Sequence, residues 1–369
     1  MSLLVRFAGL SSAPISAGFS LYRWGVNDSG QLGDNTVLDK SSPVQIGTLV
    51  DWTSASAGPT HSLAVKTDGT LWAWGSGANG RLGDGTVVSK SSPVQIGTLT
   101  DWASVSAGSS HSLSLKNNGT LWAWGSGAEG VLGDGTTSSK SSPVQIGTLT
   151  DWASVSAGAT HNLAVKTNNT LWAWGNGSNG RLGDGTIIGK SSPVQIGTLT
   201  NWASVSAGGN HSLAVKTNGT LWAWGFNNSG RLGDGTTVSK SSPVQIGTLT
   251  DWASVSAGGG HSLAVKTNGT LWAWGSGTNG ELGDSATENK SSPVQIGTLT
   301  DWASVSAGIA HSLAVKTNGT LWAWGSGTNG RLGDGTTVSK SSPVQIGTLT
   351  NWDSGVSIGT ASSTSGAFQ

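Results

Sequence analysis

Six histidines are the residues of this chain whose type is best suited to chemistry, and they stand at His61, His111, His161, His211, His261 and His311. An imidazole binds metal or moves protons near neutral pH, so a cluster of them would signal a metal centre or a catalytic base. Their spacing argues against a cluster. They recur every 50 residues, each alone in its repeat. Copies spread around a ring converge on one atom only if they line its axis. The reading favoured is structural, with each imidazole hydrogen-bonded to nearby backbone and an axial metal site as the alternative. Asp34, Asp84, Asp134, Asp184, Asp234, Asp284 and Asp334 repeat in the same way. One carboxylate per turn is too few oxygens for calcium. In a G-D-G-T setting the side chain is expected to bond its own turn. The GSGxNG stretch lacks the lysine and the strand-to-helix context of a phosphate loop. No Ser, His and Asp stand apart as a unique set, so the sequence predicts no catalytic residue, no cofactor and no metal.

The elements that would position these residues follow from the repeat. The unit DWASVSAGxxHSLAVKTNGTLWAWGSGxNGRLGDGTxxSKSSPVQIGTLT runs without insertion or deletion from Asp51 to Thr350, in six complete copies. Before it, Phe19 to Val50 repeats the second half; after it, Asn351 to Gly359 repeats the first strand. A linear solenoid has no reason to divide one unit between its ends, whereas a closed ring does. The fold class expected is therefore all-β: a seven-bladed propeller of four-stranded antiparallel blades, closed by N- and C-terminal segments that share one blade. Residues 1–359 form the propeller, with 1–50 and 351–359 making the closing blade and 360–369 a loose or surface-lying tail. Within that blade, Ser2 to Arg6 matches the S-L-A-V-K run and is assigned the second strand, Phe7 to Ser20 an enlarged hairpin loop, and Val356 to Ile358 the innermost or a neighbouring strand.

Asn-Gly between SLAVKT and TLWAWG predicts a two-residue hairpin turn, with Asp68-Gly69 and Asn168-Asn169 in the same role. That register pairs Leu115 with Trp122 and Leu113 with Trp124. It gives each blade a bulky face of Leu113, Leu115, Trp122 and Trp124 and a small face of Ser114 and Ala123, stacked bulky on small around the ring. Trp124 and Trp174, like the histidines, are read as structural. Pro43 is expected to open an outer edge strand, and Lys40 to discourage edge association.

Composition narrows the function classes. Nineteen basic residues balance 19 acidic ones and charged residues make up only 10% of the chain, so no nucleic-acid or anionic-membrane surface is predicted. Cysteine is absent, which removes disulfides and thiolate metal sites. No apolar run reaches the length of a membrane span. Arg6 interrupts the apolar start and no basic region precedes it, so that stretch is read as structure, not a signal peptide. The repeats differ in three places: the pair before each His, the segment after each WG, and the stretch after each GDG. Loops on a rigid scaffold are where binding normally resides. Arg81, Arg181, Phe226, Asn227, Asn228, Arg231 and Arg331 are the candidate interaction residues, against a reading of drift at unconstrained surface sites.

The run GxxHSLAVKTNGTLWAWGxxxxGRLGDGT resembles the regulator-of-chromosome-condensation repeat, over nearly the whole chain. The resemblance implies a seven-bladed propeller closed within one blade. It points to the highly regular bacterial and bacteriophage type. The wedge and basic tail of the chromatin exchange factor, and the G-W-R-H-T motif of the plant photoreceptors, have no counterpart in these repeats. The expectation is a non-enzymatic structural or protein-interaction propeller at a cell exterior or in a virion, as a capsid or tail decoration, with other virion proteins as partners. The alternative is a soluble inhibitor or regulator that binds one protein through a propeller face.

Overall fold

The computed structural model describes residues 18–48, 50–354, 357–358 and 362–369. They form seven four-stranded antiparallel sheets. In the first complete blade the strands are Trp52–Ala57, His61–Lys66, Leu71–Gly75 and Lys90–Gln95, in that order across the sheet. The first strand is innermost. At its end, a Cβ on Gly58 would lie 2.6 Å from the Gly108 carbonyl of the next blade, so these turns crowd together around the axis and only glycine fits. No helix among the described residues is long and apolar enough to cross a membrane.

The hairpin register differs by one residue from the two-residue turn. Lys116 pairs with Thr120, donating from its amide to the Thr120 carbonyl at 3.1 Å, and three residues make the loop. Asn118 decides this: its Oδ1 accepts from the Thr120 amide at 3.1 Å and from the Thr120 hydroxyl at 2.7 Å. Gly119 then takes a φ of +74°, the bulge geometry of three-residue hairpins. Asn169 fills the same place at φ +59°, as an asparagine can. A one-residue slip moves a strand's side chains to the other face. Leu113 consequently faces Ala123, and Ser112 faces Trp124.

Each blade thus has a leucine face and a tryptophan face, not a bulky and a small one. Leu113, Leu115, Leu121, Leu132 and Ile146 of one blade bury against Trp152, Trp174 and the small residues Ala157 and Ala164 of the next. Trp124 and Trp174 are fully buried. The Trp124 indole donates to the Arg81 carbonyl of the preceding blade at 2.9 Å. Gly83 lies beneath the ring, where a Cβ would sit 2.8 Å from the indole nitrogen. The outer strand begins at Lys40 rather than at Pro43, and its pairing with Leu21–Gly25 shifts between Arg23 and Gly25. The proline therefore occupies an irregularity on an edge strand, where its missing N–H is not needed. Lys40 Nζ pairs with Asp34 at 3.2 Å instead of standing free at the edge.

The closing blade has the order Lys40–Gln45, Leu21–Gly25, Thr364–Phe368, Ser357–Ile358. The C-terminal residues expected to form a loose tail supply its second strand, which is buried throughout. Ser2 to Arg6 lies outside the described residues, and the place assigned to it beside Leu21–Gly25 is occupied by Thr364–Phe368. The alignment is residue for residue with the other blades. Gly25 pairs with Thr364 as Gly75 pairs with His61, and Leu21 pairs with Phe368 as Leu71 pairs with Val65.

Candidate functional site

Every histidine lies at a blade junction and is buried. Its partner is a side chain of the next blade, not local backbone. His61 Nε2 meets Ser112 Oγ at 3.0 Å, His161 meets Ser212 at 2.9 Å, and His311 closes the series on Ser365 at 2.8 Å. His111 meets Asn162 Oδ1 at 2.7 Å. A Ser–His pair invites a catalytic reading, and the protons decide against it. Ser112 spends its own proton on the Arg81 carbonyl at 2.8 Å, so its oxygen is the acceptor and Nε2 the donor. An imidazole in that tautomer cannot take the serine proton through Nε2. Burial also holds these rings neutral, pushing His111 down to about 4 and His161 and His261 to about 3. Among the described residues no group of His, Asp or Glu is arranged to hold a metal.

The seventh junction is built differently, and sequence reasoning passed over it. Thr364 stands where a histidine would, and its hydroxyl donates to the Val26 carbonyl at 3.0 Å. Arg23 takes over instead: it replaces the alanine of the LWAWG strand and donates through Nη2 to Ser62 Oγ. The arginine is fully buried beside Trp74. Gly366 makes room for it, since a Cβ there would lie 2.6 Å from Arg23 Nη1. Burial lowers the guanidinium to about 9. No carboxylate among the described residues pairs with it, and the rest of the sequence contains no Asp or Glu. The signal available in the sequence was Y-R-W-G against W-A-W-G, an arginine at a position where every other copy has alanine.

The end of the ring that carries the SAG turns also carries the candidate interaction residues, because His61 and Gly75 pair at that end. Residues 31, 81, 131, 181, 231, 281 and 331 lie there in a circle. Each offers its backbone carbonyl to the indole and to the serine or asparagine of the next blade, as Arg81 does for Trp124 and Ser112. The backbone role is the same in every copy while the side chain reads Gln, Arg, Val, Arg, Arg, Glu and Arg, and all seven residues are buried, at 9% exposure or less. Arg81 reaches Thr60 Oγ1 at 2.6 Å and the Ser109 carbonyl at 3.2 Å, and Arg181 reaches Thr160 Oγ1 at 2.9 Å. Arg331 donates to the Thr328 carbonyl at 2.9 Å. Arg81 and Arg181 therefore rest on the variable pairs that precede the histidines.

Arg231 stacks over Phe226, 5.0 Å from the ring centre, and bonds exposed Asn228 at 2.7 Å and the Gly259 carbonyl at 2.9 Å. Asn227 does not share that surface. It is fully buried and ties its loop together, donating to Asp234, Thr236 and Val238 and accepting from the Leu232 amide at 3.0 Å. Asn27 does the same in the closing blade, which is why these two loops differ from the SGx form. The GDG aspartates cap their own turns: Asp84 accepts from the Thr86 amide at 3.0 Å and its hydroxyl at 2.8 Å.

The opposite end carries the hairpins and a second repeated device. Lys116 pairs with Asp101 at 3.1 Å and lies 4.7 Å and 4.4 Å from the rings of Trp102 and Trp122. Asn351 replaces the aspartate in the closing blade and Asn201 replaces it in an internal one. There Lys216 sits 3.6 Å from the Trp222 ring, and burial lowers its affinity for the proton.

Comparison with known proteins agrees with this geometry. The human protein WBSCR16 superposes with a TM-score of 0.85 at 21% identity, covering 94% of this chain and 99% of its own. The yeast protein Prp20, also called RCC1, superposes at 0.83 and 20% identity in its complex with Kap60, covering 100% of this chain and 94% of its own. A second yeast structure, of Prp20p from Saccharomyces cerevisiae, gives 0.82 and 23%, with coverage of 100% and 95%. At these identities the likeness establishes the fold. No curated protein sequence matches the chain. The profile of the RCC1-like domain, however, matches residues 20–367, and the chain belongs to that family.

Proposed function

We propose that this protein is a non-enzymatic interaction module that holds a protein partner on the end of the ring where the copies differ. The observation that carries the reading is the division of labour at each junction. The buried His, Ser and Trp groups are consumed by the same blade-to-blade bonds in every histidine-bearing copy, while the rim side chains vary from copy to copy and bond only their local surroundings or the adjoining turn. The Phe226, Asn228 and Arg231 cluster is the best formed feature of that rim, with Arg181 in the neighbouring blade. Aromatic and arginine side chains are the usual anchors of protein interfaces. Yeast Prp20p has binding properties toward Gsp1p and histones, so a propeller of the same fold serves protein recognition elsewhere. The finer reading is a decoration component of a larger assembly at a cell exterior or in a virion. Its support is compositional: a neutral, cysteine-free chain of near-identical blades.

The test is binding by the protein with Arg181→Ser, Phe226→Ser and Arg231→Ser together, against the native chain, using partners identified by cross-linking in the producing cells. Loss of the partner by a variant that still unfolds cooperatively is the expected result, at a melting temperature lowered by the loss of the buried Arg181 and Arg231 bonds. Retention of every partner would refute the placement on this end. Electron microscopy of native assemblies addresses the finer reading, which fails if the protein is found only free. Turnover of a small substrate abolished by changing a single histidine would overturn the non-enzymatic claim.

A further inference from the structure

The end of the ring opposite the variable rim exposes six leucines among the described residues. The loop that leaves Gln95 for Trp102 presents Leu99 at its centre, 48% exposed, and Leu149, Leu199, Leu249, Leu299 and Leu349 are exposed to between 45% and 49%. These loops share an end with the hairpins, since a Cβ on Gly69 would lie 2.1 Å from the Thr100 carbonyl. Gly97, Thr98 and Thr100 beside Leu99 are exposed too. Leucine occupies this position in all seven copies. Other equally exposed positions drift: the tip after each GDG reads Val37, Val87, Thr137, Ile187, Thr237, Thr287 and Thr337. Six leucines left half in water on one end of the ring call for an occupant.

We propose that this face is where two copies of the chain meet, ring against ring, about a twofold axis. Three observations select a second copy over another partner. The six described leucines recur once per blade around the ring, and a second copy presents leucines at that same interval, so they engage together. Most of the charged groups of this end cancel in place: Asp51, Asp101, Asp151, Asp251 and Asp301 pair with Lys66, Lys116, Lys166, Lys266 and Lys316, and Lys216 opposite Asn201 is the exception in that series. No strong like-charge field therefore opposes the approach of an identical face. The exposed halves of the leucines and their flanking threonines amount to on the order of 600–800 Å² per copy, the scale of a standard interface side. A twofold axis makes the contact self-complementary and closed, so it stops at two.

Sedimentation velocity over a wide range of protein concentration, at moderate salt and at a pH well above the isoelectric point near 7.0, reads the result directly. The native chain is expected to sediment as a dimer of the 37.1 kDa protomer. Leu149→Asp with Leu299→Asp should weaken dimerisation by about 100-fold or more without moving the melting temperature, because these side chains are exposed and charges at an interface core oppose association. The variant with Arg181, Phe226 and Arg231 changed to serine should dimerise normally, which separates this claim from the proposed partner site. A native chain that stays monomeric throughout overturns the inference. So does a dimer that survives the aspartates, or loss of a different partner caused by the leucine changes in a monomeric protein.

Discussion

Exchanging Arg23 and Gly366 for the residues of the other blades tests the closing junction most sharply. Two single variants and their combination give opposed outcomes. In Gly366→Leu alone, the new side chain meets Arg23, whose Nη1 and Cδ already lie 2.6 Å and 2.8 Å from the Cβ position; overpacking of this kind costs about 2–3 kcal/mol. In Arg23→Ala alone, a leucine-sized void and an unfilled Ser62 acceptor cost about 3–4 kcal/mol. Release of a buried guanidinium with no carboxylate partner offsets a similar amount, so the net change is within about 1 kcal/mol. In the double variant, the leucine introduced at position 366 fills the void left by the arginine and rebuilds the Leu–Ala pair seen at Leu63 and Ala73. It should exceed the native chain by about 1–3 kcal/mol, in the range for apolar replacement of buried charge. The same Gly366→Leu change is thus destabilising beside the native arginine and stabilising once Arg23→Ala has been made, a coupling of about 4 kcal/mol. Guanidinium unfolding gives the overall energies, and amide exchange at residues 21–25 and 364–368 reports the junction itself. Effects that add within about 0.5 kcal/mol would show that the two residues do not share the space described.

Acid should destabilise the ring steeply. All six histidines titrate below the ordinary 6.5 when folded, so the unfolded chain binds more protons below that pH. Stability is then full above about pH 6.5 and falls below it, at up to about 8 kcal/mol per pH unit for six groups. A flat unfolding midpoint from about pH 7.5 down to about pH 5 would contradict their burial. Asn201→Asp should add the missing partner of Lys216 and raise stability by up to about 1 kcal/mol near neutral pH. That gain should vanish below about pH 4 as the carboxylate protonates, measured by thermal melts. Gly183→Ala places a Cβ 2.7 Å from the Trp224 indole nitrogen at a φ of +84° and should cost about 2–4 kcal/mol in chemical denaturation. Asn162→Ser, by contrast, installs the residue that receives the histidine at most other junctions and should change stability by less than about 1 kcal/mol in the same assay.

The ring and its blade number were legible because one unit is divided between the two ends, a pattern that needs no side-chain detail. The register was not. Asn-Gly announces a tight turn for two-residue and three-residue loops alike, and the choice rests on Thr120 and its bond to Asn118. The last strand was hidden because TSGAF shares only Ser365 and Ala367 with HSLAV, and two of the residues that differ, Thr364 and Gly366, belong to the junction rebuilt around Arg23. The histidine partner lies 51 residues away in the next blade, a distance that local reading cannot bridge. Asn227 was taken for a contact residue because a variable loop looks alike whether its polar group faces water or, as here, holds the loop from within.

The closing strand also sets a schedule for folding. Thr364 bonds Val26 across 338 residues of sequence, so the first strand leaves synthesis long before its neighbour exists. The six internal blades can hairpin as they emerge, each from contiguous chain, while Leu21–Gly25 waits with an unpaired edge and Arg23 still hydrated. Only when Thr364–Phe368 arrives does that arginine give up its water. Circularisation is therefore the last event and the one most exposed to capture by another molecule's strand, and shortening the chain by a few residues before Gln369 should leave an open arc of otherwise complete blades.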